Sequence, residues 1–184
     1  MVPPLGKHGD DMQPQVRGAL IEAARVTLRR MLVSDLVATP ADLAAHAPNE
    51  PHAIVRLSGG IDGHLTVSIP EATGSRMHAM LTGRPRAARE DVLDLIGELA
   101  STIAGRALTT LQVAHPSIGT PGSRESDVCM AAGTEHIRLR CHSDFGEFRM
   151  ELEYAAPFDD TLQIGMRRIR ARESADGPVR EVAV

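Results

Sequence analysis

The run His52-Ala53-Ile54-Val55-Arg56-Leu57 enters Ser58-Gly59-Gly60-Ile61-Asp62-Gly63 and returns through Leu65, Val67 and Ile69, which alternate with His64, Thr66 and Ser68. Alternation of period two puts one set of side chains on a buried face and the other toward water, and glycines between two such runs supply the turn of a β-hairpin. Downstream, Ile137, Leu139 and Cys141 alternate with Arg138 and Arg140, and Phe148, Met150, Leu152 and Tyr154 alternate with Arg149, Glu151 and Glu153. These are two further strands, turned at Asp144-Phe145-Gly146, and Val128 and Met130 suggest another before them. The segments between carry a helical period instead. Val16, Leu20, Ala24, Leu28 and Met31 follow Pro14 at helical spacing and predict a helix to about Val37. A short helix over about Glu71 to Leu81 stops near Gly83 and Pro85. The longest runs from about Ala87 to Gln112, its face built on Val92, Leu95, Ile96, Leu99, Ile103 and Ala107. Strands that turn back on one another, with helices grouped apart, give an α+β fold: an antiparallel sheet with two long helices packed on one side.

Composition bounds the function. The 184 residues suit one domain and a tail. Residues 1–12 are expected to be a disordered leader, 13–165 the domain, and 166–184 a basic, mobile tail, with five Arg against three acids from Gly165 onward. Net charge is −4, and the aromatics are Tyr154, Phe145, Phe148 and Phe158 alone, so a nucleic-acid-coating surface is excluded. No stretch approaches the length of an apolar membrane span, and residues 1–8 lack a signal core, so the chain is expected in the cytoplasm.

On the long helix, Asp94, Glu98, Ser101 and Gly105 follow i, i+4, i+7, i+11 and share one strip opposite the core. Exposed acids and serines are what any amphipathic helix shows to water. Gly105 is less ordinary, because a glycine inside a helix costs about 1 kcal/mol relative to alanine and often marks close approach by another backbone. The segment Ile96-Gly97-Glu98-Leu99-Ala100-Ser101-Thr102-Ile103-Ala104-Gly105-Arg106 resembles the signature helix of the CheX/CheC/FliY chemotaxis phosphatases, CheX most closely. The hairpin from Ser58 to Leu65, the Met80-Leu81-Thr82-Gly83 helix end and a Pro-bearing loop at Ser117 to Gly122 agree in order and spacing, so the resemblance spans roughly residues 13–155.

That resemblance implies hydrolysis of the phosphoaspartate on a CheY-type receiver domain in two-component or chemotaxis signalling. An acyl phosphate is already labile, so catalysis consists mainly of placing a water in line with phosphorus and supporting the spreading charge. In the family pattern a Glu, here Glu98, pairs with a receiver lysine, and an Asn one turn on orients the water. Magnesium arrives on the receiver, and the chain itself takes no cofactor. The Asn position is Ser101, whose hydroxyl donates and accepts through a single atom nearer the backbone. Asp94 matches a second acidic position, and Pro121 is kept in the downstream loop. The implied catalytic residues are therefore Glu98 and Ser101, with Asp94, Glu98, Gly105 and Pro121 meeting the partner. The alternative is a catalytically weak or inactive relative that serves as an adaptor or sequestering module. A homodimer through a sheet edge is a further expectation.

Other constellations read as structure. The eight histidines form no HxH, HExxH or HxxxH pair, so no metal site is expected and they are assigned to the surface or to strand edges. Cys129 and Cys141 make no CxxC and are assigned as small core fillers. Gly59–Gly63 lacks a GK[ST] ending and leads into a strand, which makes it a turn and not a phosphate loop.

Overall fold

The computed structural model describes residues 12–41, 50–59, 61–113, 115–122 and 134–155. Its elements in order are α1 (Met12–Leu32), β1 (Leu36–Pro40), β2 (His52–Ser58), β3 (Gly63–Ser68), α2 (Glu71–Thr82), α3 (Arg89–Thr110), β4 (Ser117–Ile118), β5 (Thr134–Ser143) and β6 (Gly146–Ala155). The six strands form one antiparallel sheet in the order β1-β5-β6-β3-β2-β4. The anticipated α+β architecture is the one observed.

The alternation in the strands becomes a two-faced sheet. Val55, Leu65, Val67, Leu139, Cys141, Phe148 and Met150 point to one face and are wholly buried under the helices. Each fully buried side chain of this size contributes roughly 1.5–3 kcal/mol, which makes this layer the main source of stability. The opposite face carries a charged lattice. His136 stands across from Glu153, Arg138 across from Glu151, and His64 lies between Glu153 and Arg56. Gly63 is required where β3 meets β6, because a Cβ there would lie 2.1 Å from the Glu153 carbonyl oxygen.

Helix α3 lies on the buried face with Val92, Ile96, Leu99 and Ile103 inward, and α1 packs beside it through Val16, Leu20, Ala24 and Leu28. The first turn of α3 is closed by its own acid, with the Ala88 N–H donating to Asp91 Oδ2 at 2.8 Å. Helix α2 stops where expected, at Gly83 in the left-handed region (φ 69°).

Three features depart from the sequence reading. Helix α1 ends at Leu32 and does not continue to Val37, because Val33 turns to φ 51° and Leu36–Pro40 pair with β5 from Ser143 to Leu139. Ser34 fastens this exit: its hydroxyl donates to Asp144 Oδ2 at 3.0 Å in the β5–β6 turn. The two-residue β4 has no sequence period at all and exists through pairing with Leu57 and Ser58. Met12, assigned to the leader, is already helical. The rest of that leader, the strand expected at Val128 and Met130, Cys129 and the 166–184 tail lie outside the described residues. No helix of the described residues is long and apolar enough to cross a membrane.

Candidate functional site

Helix α3 exposes a strip bounded by α1 on one side and by residues 117–122 on the other. That second boundary is built by hydrogen bonds to β2. Gly119 N–H donates to the Arg56 carbonyl at 2.8 Å, and Gly122 exchanges bonds with Ile54 at 2.8 and 3.0 Å. Pinned on both sides, Pro121 rests against α3 at Gly97, where a Cβ would sit 3.2 Å from Pro121 Cβ. Gly105 meets β4 in the same way, 3.2 Å from Ile118 Cδ1. The close approach at Gly105 is thus by a side chain, not the backbone that its presence in a helix suggested. Gly97 does the same work one step earlier and was not singled out from sequence. Its signal was a second glycine eight residues upstream inside a helix.

The expected strip divides between two grooves. Asp94 and Glu98 are exposed and line a groove of about 440 Å³ with His52, Ala53, Leu93, Gly97, Pro121 and Gly122. Neither carboxylate has a hydrogen-bond or ion-pair partner among the described residues. Two uncompensated carboxylates over an apolar and glycine floor form a receptacle for a cation. His52 on the rim was not read from sequence; its Nδ1 lies 3.0 Å from the Glu50 carbonyl oxygen.

Ser101 and Gly105 line the second groove, about 430 Å³, together with Glu22, Ala23 and Val26 of α1 and Thr102, Arg106, Thr109 and Thr110 of α3. Both residues are half-buried, and Ser101 Oγ is shielded from solvent without a hydrogen-bond partner among the described residues. The prediction of a water-facing hydroxyl therefore holds for the strip but not for this atom. A shielded, unpaired hydroxyl costs roughly 1–3 kcal/mol, which a ligand that pairs it would recover.

One histidine joins two glutamates in a way its spacing concealed. His136 Nδ1 is 3.2 Å from Glu153 Oε1 and 3.8 Å from Glu151 Oε1, on the outer face of the sheet away from α3. Arg138 Nε donates to that same Glu151 oxygen at 2.5 Å, so the group is held as an ion-pair ladder. His64 and His136 belong to interior strands and not to edges. Burial holds the His64 imidazole below its ordinary range; Arg56 adds to the effect and Glu153 opposes it. Cys141 is a buried core filler as expected, its thiol pushed up to about 12 by burial.

Fold and site together define an antiparallel α+β protein with one face of a long helix left exposed. The family model "Chemotaxis phosphatase CheX" matches residues 51–147, more than half of the chain, and the chain belongs to that family. Solved structures share the fold. The CheX–CheY–BeF3–Mg2+ complex from Borrelia burgdorferi matches at 18% identity over 75% of this chain and 96% of that chain, with a TM-score of 0.59. Chemotaxis protein CheX from Vibrio vulnificus matches at 16% identity over 76% and 99%, with a TM-score of 0.58. FliY from Thermotoga maritima matches at 11% identity over 90% and 98%, with a TM-score of 0.57. No curated protein matches the chain.

Proposed function

We propose that the chain is a cytoplasmic phosphatase for the phosphoaspartate of a CheY-type receiver domain in chemotaxis or two-component signalling. The observation that carries this is the pair of exposed, unpartnered carboxylates on α3, with Ser101 on the next turn. The complex of a structural relative with CheY, BeF3 and Mg2+ supports the choice of partner. Glu98 accepts the receiver's active-site lysine and fixes its docking, with Asp94 beside it adding to the attraction. Gly105 and Pro121 shape the surface the receiver meets. Ser101 takes the water-orienting position: its oxygen accepts a hydrogen bond from the attacking water, which adds to phosphorus as the bond to the aspartyl oxygen breaks. The products are the free receiver aspartate and inorganic phosphate. Magnesium belongs to the receiver. A homodimer formed through the β1 edge of the sheet is compatible with this docking face, since α3 packs on β2, β3 and β4 at the opposite end.

The shielding of Ser101 Oγ favours a second reading, a binding module with slow turnover. One experiment separates the two. Loss of phosphate from a labelled receiver is followed with and without the protein, alongside affinity for the phosphorylated and unphosphorylated receiver. Acceleration supports the phosphatase; phosphorylation-dependent binding without acceleration supports the module. Neither effect with any receiver encoded beside it, even after Ser101→Asn, rejects the reading.

A further inference from the structure

Among the described residues four shielded side-chain polar atoms lack a hydrogen-bond partner, and two of them, Ser101 Oγ and Arg106 Nε, belong to residues lining the same groove between α1 and α3. Arg106 is half-buried and makes no ion pair or hydrogen bond with any described residue. Its Nε is shielded from water with no acceptor, which is unfavourable, and an anion that accepts from the guanidinium's fork of donors relieves this. The nearest acid on the groove wall does not fill that place. Glu22 of α1 is exposed, and its Oε2 accepts from Arg25 Nη1 at 3.1 Å. The surroundings instead supply hydroxyls. Thr102 is one helical turn before Arg106 on the same side of α3, Ser101 adjoins it, and Thr110 follows one turn later. Thr109 is already committed, its Oγ1 donating to the Gly105 carbonyl at 2.8 Å.

We infer that this groove is an oxyanion site for a phosphate group, with Arg106 supplying the charge and the Ser101 and Thr102 hydroxyls supplying further donors. A tetrahedral phosphate accepts from several directions, which matches donors stacked along a helix better than the planar, paired geometry of a carboxylate does. The inference deepens the phosphatase reading and rests on it only for the origin of the phosphate. That is either the phosphoryl group on a docked receiver or the inorganic phosphate released by hydrolysis.

Calorimetric titration of the full-length protein with inorganic phosphate at constant ionic strength tests the site without any receiver. Saturable binding in the millimolar range is expected, weakened about tenfold by Arg106→Gln, less by Arg106→Lys, and unchanged by Arg30→Gln, an exposed arginine of α1 outside the groove. Circular dichroism confirms that each variant is folded, and Thr102→Val provides the same readout if Arg106→Gln does not fold. Non-saturable binding, or equal binding by wild type and a folded Arg106→Gln protein, overturns the site. A second titration uses a receiver with and without beryllofluoride. If Arg106→Gln lowers affinity for the loaded receiver alone, the receiver delivers the group. If it abolishes phosphate binding and leaves both receiver affinities intact, the occupant is free phosphate. Phosphate binding by a protein that engages no receiver sustains the site while rejecting the phosphatase reading.

Discussion

The two halves of α3 face solvent differently. In the first half Asp94 and Glu98 stand free in water over a floor of Gly97 and Pro121; in the second, Ser101 and Arg106 lie half-covered between helices. One half is suited to catching a cation at a distance, because exposed, unpaired acids steer association. The other is suited to gripping a small anion, because shielded donors are strong at short range. On the proposed function, recruitment and chemistry would occupy successive turns of one rigid element, and they should respond separately to mutation.

The sharpest break is Glu98→Ala. It should weaken receiver binding about a hundredfold, as expected when one partner of an interfacial charge pair is removed, and leave the thermal midpoint within a degree or two. A titration beside a melting curve checks this, and comparable loss from an Arg106 variant would erase the division between halves. Ser101→Asn is next. A second donor–acceptor atom should raise single-turnover dephosphorylation about tenfold with receiver affinity unchanged; a rise in affinity alone would place Ser101 with the anchor. The buried sheet face should not discriminate between the halves. Burial pushes the Cys141 thiol up to about 12 from the ordinary 9.0, so its contribution is intact below pH 9 and lost as pH climbs toward 12. The loss is about 1 kcal/mol per pH unit in denaturant titrations, shallower in Cys141→Ala, and it should lower binding and turnover together. The smallest effects belong to Gly97→Ala and Gly105→Ala. Each gains helix propensity but presses on Pro121 or Ile118, so stability should change by less than about 1 kcal/mol. Gly97→Ala and Gly105→Ala should each weaken receiver binding about threefold, both read by the same titration.

Much of the fold was legible because its periods are local. The alternation around Leu65 and Val67 and the spacing of Val92, Ile96 and Leu99 report burial without knowledge of any partner. The end of α1 was not, because Leu36 and Val37 prolong a helical spacing and are strand residues only by virtue of β5, a hundred residues away. Within the site, the exposure of Asp94 and Glu98 follows from the helix wheel. The shielding of Ser101 and the placing of Pro121 depend on α1 and on the Gly119 and Gly122 bonds to β2, contacts no spacing encodes. His136, Glu151 and Glu153 escaped notice for the same reason, since strand register alone brings them together.

The sealed thiol of Cys141 has a use beyond packing. With a value near 12 and no exposed surface, it presents about one thiolate in 10⁵ molecules near neutral pH, and none of that within reach of a reagent. In a Cys129→Ser background, alkylation of Cys141 then times the opening of the sheet itself. A receiver that binds α3 should slow that labelling by the same factor by which it stabilises the closed molecule, giving a clock for complex formation that needs no reporter attached beforehand to either protein.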